Sequence, residues 1–143
     1  MDIRPLTESY AVSPQIAAED MPAIAAAGYK AIICNRPDGE NPPELQASAL
    51  RAAAEAAGLA FTEVPYVHGA LDLDLVHAQD AAIAAAPGPV LAYCASGNRS
   101  SVLWALANAG RIATDDLIGL PARHGYQLEG LRAQIEALAA QSR

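Results

Sequence analysis

Cys94, Arg99 and Ser100 lie within one short loop and are the residues of this chain best suited to covalent chemistry. The loop separates an apolar run at 90–93 from a second apolar run at 102–107, which is the pattern of a strand followed by a helix. Thiolate is the nucleophilic form of cysteine, and a helix N-terminus with a neighbouring arginine favours that form. The sequence therefore predicts a cysteine nucleophile in a βα loop.

The residues between the cysteine and the arginine are suited to holding an anion. They are Ala95, Ser96, Gly97 and Asn98. Because residues 95–99 include no proline, we expect their successive N–H groups to point inward, aided by the positive end of the helix dipole. We expect Gly97 to supply a positive φ in the tight turn.

Arg99 and Ser100 complete the predicted loop, with the helix expected to begin at about Ser100. The planar guanidinium fork of Arg99 matches an anionic ligand. Ser100 caps the helix, donates a hydrogen bond to the sulfur of Cys94, or does both.

Composition indicates a single folded domain over residues 1–143, with a hydrophobic content of 52%. The net charge of −7 disfavours nucleic acid and anionic membrane as partners. No apolar stretch approaches the ~20 residues of a membrane helix, and residues 1–5 lack the apolar core of a signal peptide. We therefore expect a cytoplasmic location.

Two cysteines and three scattered histidines are too few for a disulfide framework or a zinc site, so we expect no metal and no cofactor. Cys34 lies inside a buried apolar run and is expected to be a core residue. A second thiol near the site is the alternative for Cys34.

Extended and helical patterns alternate along the chain, which predicts an α/β fold with a largely parallel sheet flanked by helices. The predicted strands are 3–6, 10–12, 30–35, 60–65 and 90–93, and the predicted helices are 18–27, 44–57, 74–86, 100–109, 114–122 and a last one carrying the stripe Leu128, Leu131, Ile135 and Leu138. In such a sheet, ligands bind outside the carboxyl ends of the strands.

Two further loops are predicted at that same edge. The first, residues 36–40, carries Arg36 and Asp38, which either stabilise a turn or form a secondary site. The second, residues 66–74, carries His68 and Asp72, which are able to move protons; Asp74 follows close by.

The chain resembles the phosphatase-like domain of the Blh (β-lactamase-hydrolase-like) family, which is related to cysteine-dependent phosphatases. The matching stretches are 25–30 into the Asn-Arg-Pro-Asp-Gly-Glu run at 35–40, then 54–65, then 89–94 through to 106. The resemblance implies a dual-specificity-phosphatase-like fold, a nucleophile at Cys94 and Arg99 as its partner. Some family members are described as sulfur transferases.

The loop departs from cysteine phosphatases, which carry five residues between the cysteine and the arginine. Only four separate Cys94 from Arg99, a length similar to that of rhodanese-type loops. Where phosphatases carry an acidic Asp, the best match here is His68, and sulfur transfer needs an acid less because thiolates leave easily. The leading prediction is therefore a sulfurtransferase that carries sulfane sulfur as a Cys94 persulfide.

The predicted partners of a sulfurtransferase are a small sulfane-sulfur donor, such as thiosulfate or a persulfide, and an acceptor thiol. Family members joined to a metallo-β-lactamase-like domain imply a persulfide dioxygenase as a further partner. The alternative is a phosphatase that hydrolyses phosphate esters through a phosphocysteine at Cys94. A third hypothesis is a non-catalytic domain that binds anions or senses oxidants through Cys94.

Overall fold

The fold is built from alternating strands and helices, and the computed structural model describes residues 1–141. The strands are β1 (Arg4–Pro5), β2 (Tyr10–Ser13), β3 (Ala31–Cys34), β4 (Ala60–Glu63) and β5 (Val90–Tyr93). The helices are α1 (Met21–Ala26), α2 (Ala47–Ala56), α3 (Leu73–Ala85), α4 (Asn98–Ala107), α5 (Thr114–Ala122) and α6 (Arg132–Gln141). Single 3-10 turns lie at Ala18–Asp20, Asp38–Glu40, Pro43–Leu45 and Glu129–Leu131.

The strands form one sheet in the order β1-β2-β5-β3-β4. Every pairing is parallel except that of the short edge strand β1 with β2. The predicted α/β class with a largely parallel sheet is confirmed. Strand β5 lies at the centre, so the cysteine loop, residues 94–97, begins at the middle of the sheet.

Helices cover both faces of the sheet, which explains why β5 is apolar throughout. Val90 and Ala92 point to the core formed with α3 to α6, whereas Leu91 and Tyr93 point to the core formed with α1 and α2. This alternation is the two-residue period of a strand. Both faces of β5 are therefore packed against helices, and the cysteine loop follows at the carboxyl end of this central strand.

Three helices begin later than their apolar patterns predict. The predicted helix 18–27 is a 3-10 turn followed by α1, and α1 starts where Pro22 suits a first helical turn. The predicted helix 44–57 starts only at Ala47, because Gln46 is extended (φ −73°, ψ 160°). The last helix begins at Arg132, after a 3-10 turn.

Candidate active site

The cysteine loop lies beside the loops that follow β3 and β4. Tyr93, the last residue of β5, is in register with Ser13 of β2 and with Cys34 of β3. Parallel strands in register end at one edge of the sheet, so the loops that follow them meet there. The three predicted loops therefore converge, as their positions after the strands indicated.

Arg99 joins the three loops through its guanidinium group. Its Nη1 donates to Glu40 Oε2 at 2.8 Å and its Nη2 donates to Glu40 Oε1 at 2.8 Å. Nη1 also donates to the main-chain carbonyl of Tyr66 at 2.7 Å. The Arg99 side chain is only 5% exposed. Its orientation is therefore fixed by one residue from each neighbouring loop.

Cys94 lies at the base of the cysteine loop and is 1% exposed, whereas Ala95 and Ser96 above it are exposed. The amide of Gly97 donates to the Cys94 sulfur at 3.1 Å. The sulfur therefore lies beneath the exposed residues of the loop, with the Gly97 amide directed at it.

The amides of the cysteine loop do not all point towards one common site. The amide of Asn98 donates to the side-chain oxygen of Ser96 at 3.2 Å, so the expectation that every amide of 95–99 points inward is wrong at Asn98. Within residues 1–141, the amides of Ala95, Ser96 and Arg99 have no hydrogen-bond acceptor. These three N–H groups are the donors that the loop leaves for a bound anion.

The charges of Arg99 and Glu40 stabilise each other. Hydrogen bonding to Glu40 raises the pKa of Arg99 against the opposing effect of burial, and a negative Cys94 raises it further. Hydrogen bonding to Arg99 lowers the pKa of Glu40 to about 2, with Arg36 contributing less. Glu40 is therefore a carboxylate at neutral pH, and it cannot supply a proton to a leaving group there.

Glu40 is a site residue that the sequence analysis missed, although it closes the Asn-Arg-Pro-Asp-Gly-Glu run. The signal available was its place in the loop after β3, a strand that neighbours β5. A carboxylate there lies opposite a buried arginine at the same sheet edge. Tyr66 was missed for another reason: it contributes a main-chain carbonyl, which any residue type supplies.

The lowered pKa of Glu40 predicts a loss of stability in acid. The folded value is about 2 and the ordinary value is 4.5, so the ion pair stabilises the fold fully above pH 4.5. As the pH falls from 4.5 towards 2, the unfolded chain takes up a proton that the folded chain does not, and this stabilisation is lost. Urea midpoints at pH 7 and pH 3 test this: the difference between wild type and Glu40→Gln should shrink in acid. An equal difference at both pH values would contradict it.

Ser100 does not donate to the sulfur of Cys94. Its single hydroxyl proton goes to Asn35 Oδ1 at 2.8 Å. Ser100 is not the helix cap either, because α4 begins at Asn98 with Gly97 in the capping position at φ 98° and ψ −7°. Both predicted roles of Ser100 are corrected.

Arg36 and Asp38 stabilise their own loop. Arg36 donates through Nε to Glu40 Oε1 at 3.1 Å and through Nη1 to Gln15 Oε1 at 3.2 Å. Asp38 Oδ1 accepts a hydrogen bond from the amide of Ala47 at the start of α2, at 2.8 Å. The structure therefore brings Arg36 to the site through Glu40 and gives Asp38 a capping role.

The loop after β4 places its two predicted proton carriers differently. Asp72 Oδ1 accepts a hydrogen bond from the amide of Leu75 at 2.8 Å and so caps α3. His68 is exposed on the same loop, two residues after Tyr66. Asp74 lies exposed in the first turn of α3. Of the three, Asp72 is committed to a structural role.

Tyr126 binds the main chain of the cysteine loop, a contact that the sequence did not predict. Its hydroxyl donates to the carbonyl of Ser96 at 2.7 Å and accepts a hydrogen bond from Arg4 at 2.8 Å. A Cβ atom added at Gly97 would lie 2.2 Å from that hydroxyl oxygen. Gly97 is therefore required both for its positive φ and for the close approach of Tyr126.

We expect Gly97→Ala to destabilise the fold more than Gly58→Ala. Both glycines have a positive φ, but nothing lies within 4 Å of a Cβ at Gly58. Gly58→Ala should cost about 1 kcal/mol from backbone strain alone, and Gly97→Ala about 1–3 kcal/mol more from the clash with Tyr126. Chemical denaturation measures both variants, and equal losses would contradict the steric argument.

Cys34 is 2% exposed and packs in the core on the α1 and α2 face. Its sulfur donates to the carbonyl of Arg36 at 3.4 Å. Burial is the main cause that raises the pKa of Cys34. The thiol is therefore held protonated, which supports the core interpretation over a second nucleophile.

Within residues 1–141, no helix is both long enough and apolar enough to cross a membrane. The same residues include no group of three or more His, Cys, Asp or Glu side chains arranged to hold a metal ion.

Comparisons with known sequences agree with the resemblance. The sequence model of the family described as "Beta-lactamase hydrolase-like protein, phosphatase-like domain" matches residues 2–111. The beta-lactamase hydrolase-like protein of Xylella fastidiosa (strain 9a5c) is 35% identical over 144 residues, covering 99% of this chain and 33% of that protein. The Agrobacterium fabrum (strain C58) protein of the same description is 33% identical over 125 residues, covering 86% of this chain and 29% of that protein. The chain thus spans about a third of the length of these curated relatives.

Solved structures share the fold. A Neisseria meningitidis protein described as a candidate phosphatase superposes with a TM-score of 0.82 at 33% identity, covering 96% of this chain and 99% of that one. PTPMT1 in complex with PI(5)P superposes with a TM-score of 0.77 at 15% identity, covering 99% of each chain, and at that identity the likeness shows the fold alone. These findings favour the phosphatase alternative over the leading prediction of sulfur transfer.

Proposed function

This chain belongs to the family of phosphatase-like domains of beta-lactamase hydrolase-like proteins, and on that premise we propose that it hydrolyses phosphate monoesters with Cys94 as nucleophile. The observation that carries the proposal is the pairing of a buried cysteine sulfur, to which the Gly97 amide donates, with the buried Arg99 in the first turn of α4, whose charge interacts with that sulfur. A cysteine nucleophile beside a fixed cation is the arrangement that group transfer from an anionic substrate requires.

The first proposed step forms a bond between the Cys94 sulfur and phosphorus. The bond from phosphorus to the ester oxygen breaks, and the departing oxygen takes a proton. Phosphoryl oxygens accept hydrogen bonds from the amides of Ala95, Ser96 and Arg99, the loop donors without another acceptor in the described chain. Water then breaks the sulfur–phosphorus bond, which releases inorganic phosphate and restores the thiolate.

We propose His68 as the proton donor to the ester oxygen, since Asp72 caps α3 and Glu40 is ionised. His68→Ala should lower kcat for an alkyl phosphate by about 10²-fold, and should lower kcat little for an aryl phosphate whose phenolate leaves unaided. Asp72→Asn retains a capping side chain and is the matched control, with both rates unchanged. Equal losses on the two substrates would exclude His68 as the acid.

Sulfane-sulfur transfer is the second candidate, and the four-residue loop specifically favours it. Thiolate attack on the outer sulfur of thiosulfate breaks the sulfur–sulfur bond and releases sulfite, which needs no proton donor. An acceptor thiol then removes the sulfur from the Cys94 persulfide. A persulfide-consuming dioxygenase as the downstream partner of this second candidate rests on the family resemblance.

A phosphate ester is the substrate class that suits an anion-binding loop. Both cysteines are free thiols, which supports a reducing compartment such as the cytoplasm.

The test compares turnover of an aryl phosphate with sulfur transfer from thiosulfate to a thiol. The proposal expects kcat/KM for the phosphate to exceed that for thiosulfate by about tenfold or more. The reverse ratio would assign the domain to sulfur transfer. Absence of both activities would favour the third hypothesis, a non-catalytic anion-binding or redox-sensing domain.

A further inference from the structure

Asn35 lies at the centre of a buried hydrogen-bond network beneath the site. It is the residue directly after β3, and it has no solvent exposure. Its side-chain nitrogen donates to the carbonyl of Val64 at 2.9 Å and to Gln79 Oε1 at 2.8 Å. Its side-chain oxygen accepts from Ser100 Oγ at 2.8 Å. The amide is thus bound on both sides by α3, α4 and the end of β4.

The main chain of Asn35 binds the loop after β4, whose Tyr66 carbonyl accepts a hydrogen bond from Arg99. The Asn35 carbonyl accepts a hydrogen bond from the amide of Tyr66 at 2.9 Å. The carbonyl of that same Tyr66 accepts from Arg99 Nη1 at 2.7 Å. A shift of Asn35 would therefore move the acceptor that orients the guanidinium.

The side chain of Asn35 fixes the main chain next to the same arginine, through Ser100. Ser100, which it binds, is the residue after Arg99 in the first turn of α4. The carbonyl of Ser100 also accepts from the hydroxyl of Tyr10 at 2.9 Å, and Gln79 Nε2 donates to that hydroxyl at 3.0 Å. Tyr10 and Gln79 are buried as well, so the network shields these bonds from water.

We propose that Asn35 is a positioning residue that sets the guanidinium of Arg99 against Cys94. It acts on the backbone of Arg99 through Ser100 and on the guanidinium through Tyr66. The inference rests on the proposed function in that it takes Arg99 as the group that receives anions at Cys94. It assigns Ser100 to the same task, in place of a direct role at the sulfur.

The experiment measures alkylation of Cys94, in which the thiolate forms a carbon–sulfur bond and iodide leaves. Iodoacetate carries a carboxylate that Arg99 attracts, whereas iodoacetamide is neutral. The ratio of the two rates therefore reports the placement of Arg99 and cancels the intrinsic reactivity of the sulfur. Intact-mass analysis on a Cys34→Ser background restricts the signal to Cys94.

Ser100→Ala and Asn35→Ala are expected to lower the iodoacetate-to-iodoacetamide ratio by about fivefold, the scale of one lost hydrogen bond between neutral groups. Ser100→Ala is the milder change, because Asn35 Oδ1 also faces Gln79 Nε2 at 3.4 Å. It keeps the experiment decisive if Asn35→Ala does not fold. In an Arg99→Lys background, Ser100→Ala should produce no further decrease.

Asn108→Ala is the matched control. Asn108 lies at the far end of the same helix, where its side chain donates to the carbonyl of Trp104 at 2.9 Å. Its loss should lower stability without changing the ratio. An equal fall of the ratio in all variants, Asn108→Ala included, would show that the network only stabilises the fold and would overturn the inference. An unchanged ratio in Ser100→Ala would also overturn it.

Failure of the proposed function gives a different result. A wild-type ratio no higher than that of free cysteine, or no alkylation of Cys94, would contradict both the anion-binding role of Arg99 and the inference built on it. A high wild-type ratio that falls in Ser100→Ala, in a protein that hydrolyses no phosphate ester, would retain the positioning role and reject the proposed reaction.

Discussion

Cys94→Ser is expected to lower phosphate-ester turnover by about 10⁴-fold or more, since removal of a covalent nucleophile leaves only binding and transition-state contacts. A serine hydroxyl at this position keeps the size of the side chain but does not ionise near neutral pH. Steady-state kinetics with an aryl phosphate, together with circular dichroism to establish folding, measure the effect.

Cys34→Ser is the matched control for this loss. Cys34 is equally buried, and a serine hydroxyl can still donate to the Arg36 carbonyl that the thiol contacts. Its turnover should stay within about threefold of wild type, with a loss of stability of about 1 kcal/mol from burying a hydroxyl. Comparable inactivation of the two variants would show that a general effect on the fold, not nucleophilicity, explains the loss in Cys94→Ser.

Arg99→Lys is expected to lower kcat/KM by about 10²–10³-fold, the range found when a preorganised charge-stabilising donor is removed. The guanidinium donates to both oxygens of Glu40 and to the Tyr66 carbonyl at the same time. A lysine ammonium is a point charge that cannot reproduce this planar fork. The positive charge would remain while its position relative to Cys94 changed.

Arg111→Lys is the control for that substitution. Arg111 also forms a two-point pair, donating to the two oxygens of Asp80 at 2.6 and 3.1 Å, but on an exposed surface. We expect its kcat/KM to equal that of wild type, because exposed pairs contribute little. If Arg99→Lys were as active as Arg111→Lys, the assignment of Arg99 to anion binding would fail.

The sequence predicted the parts of the site that follow from chain direction. A strand-like run before Cys94 and a helical run after it place the sulfur at a βα loop, and the alternation of elements makes the sheet parallel. The loops after β3 and β4 were expected at the same edge for the same reason. The contacts of Glu40 and Tyr66 with Arg99 agree with that placement.

Side-chain pairings were less predictable because they depend on distances across the fold. Asp38 and Asp72 have the residue type of a proton carrier, yet each caps a helix, since the first-turn amides of α2 and α3 lie within reach. Ser100 is next to Arg99 in sequence, but the helical turn directs its hydroxyl to Asn35. The residues adjacent in sequence do not show which partners these side chains bind.

Intact-mass and peptide analysis of an acid-quenched reaction with an aryl phosphate tests the central claim most directly. The account predicts one added phosphoryl group on the peptide that contains Cys94, absent from Cys94→Ser and present in Cys34→Ser. A reaction with thiosulfate run in parallel separates the second candidate. One added sulfur atom on Cys94 with no phosphoryl adduct, or an adduct on any other residue, would contradict the account.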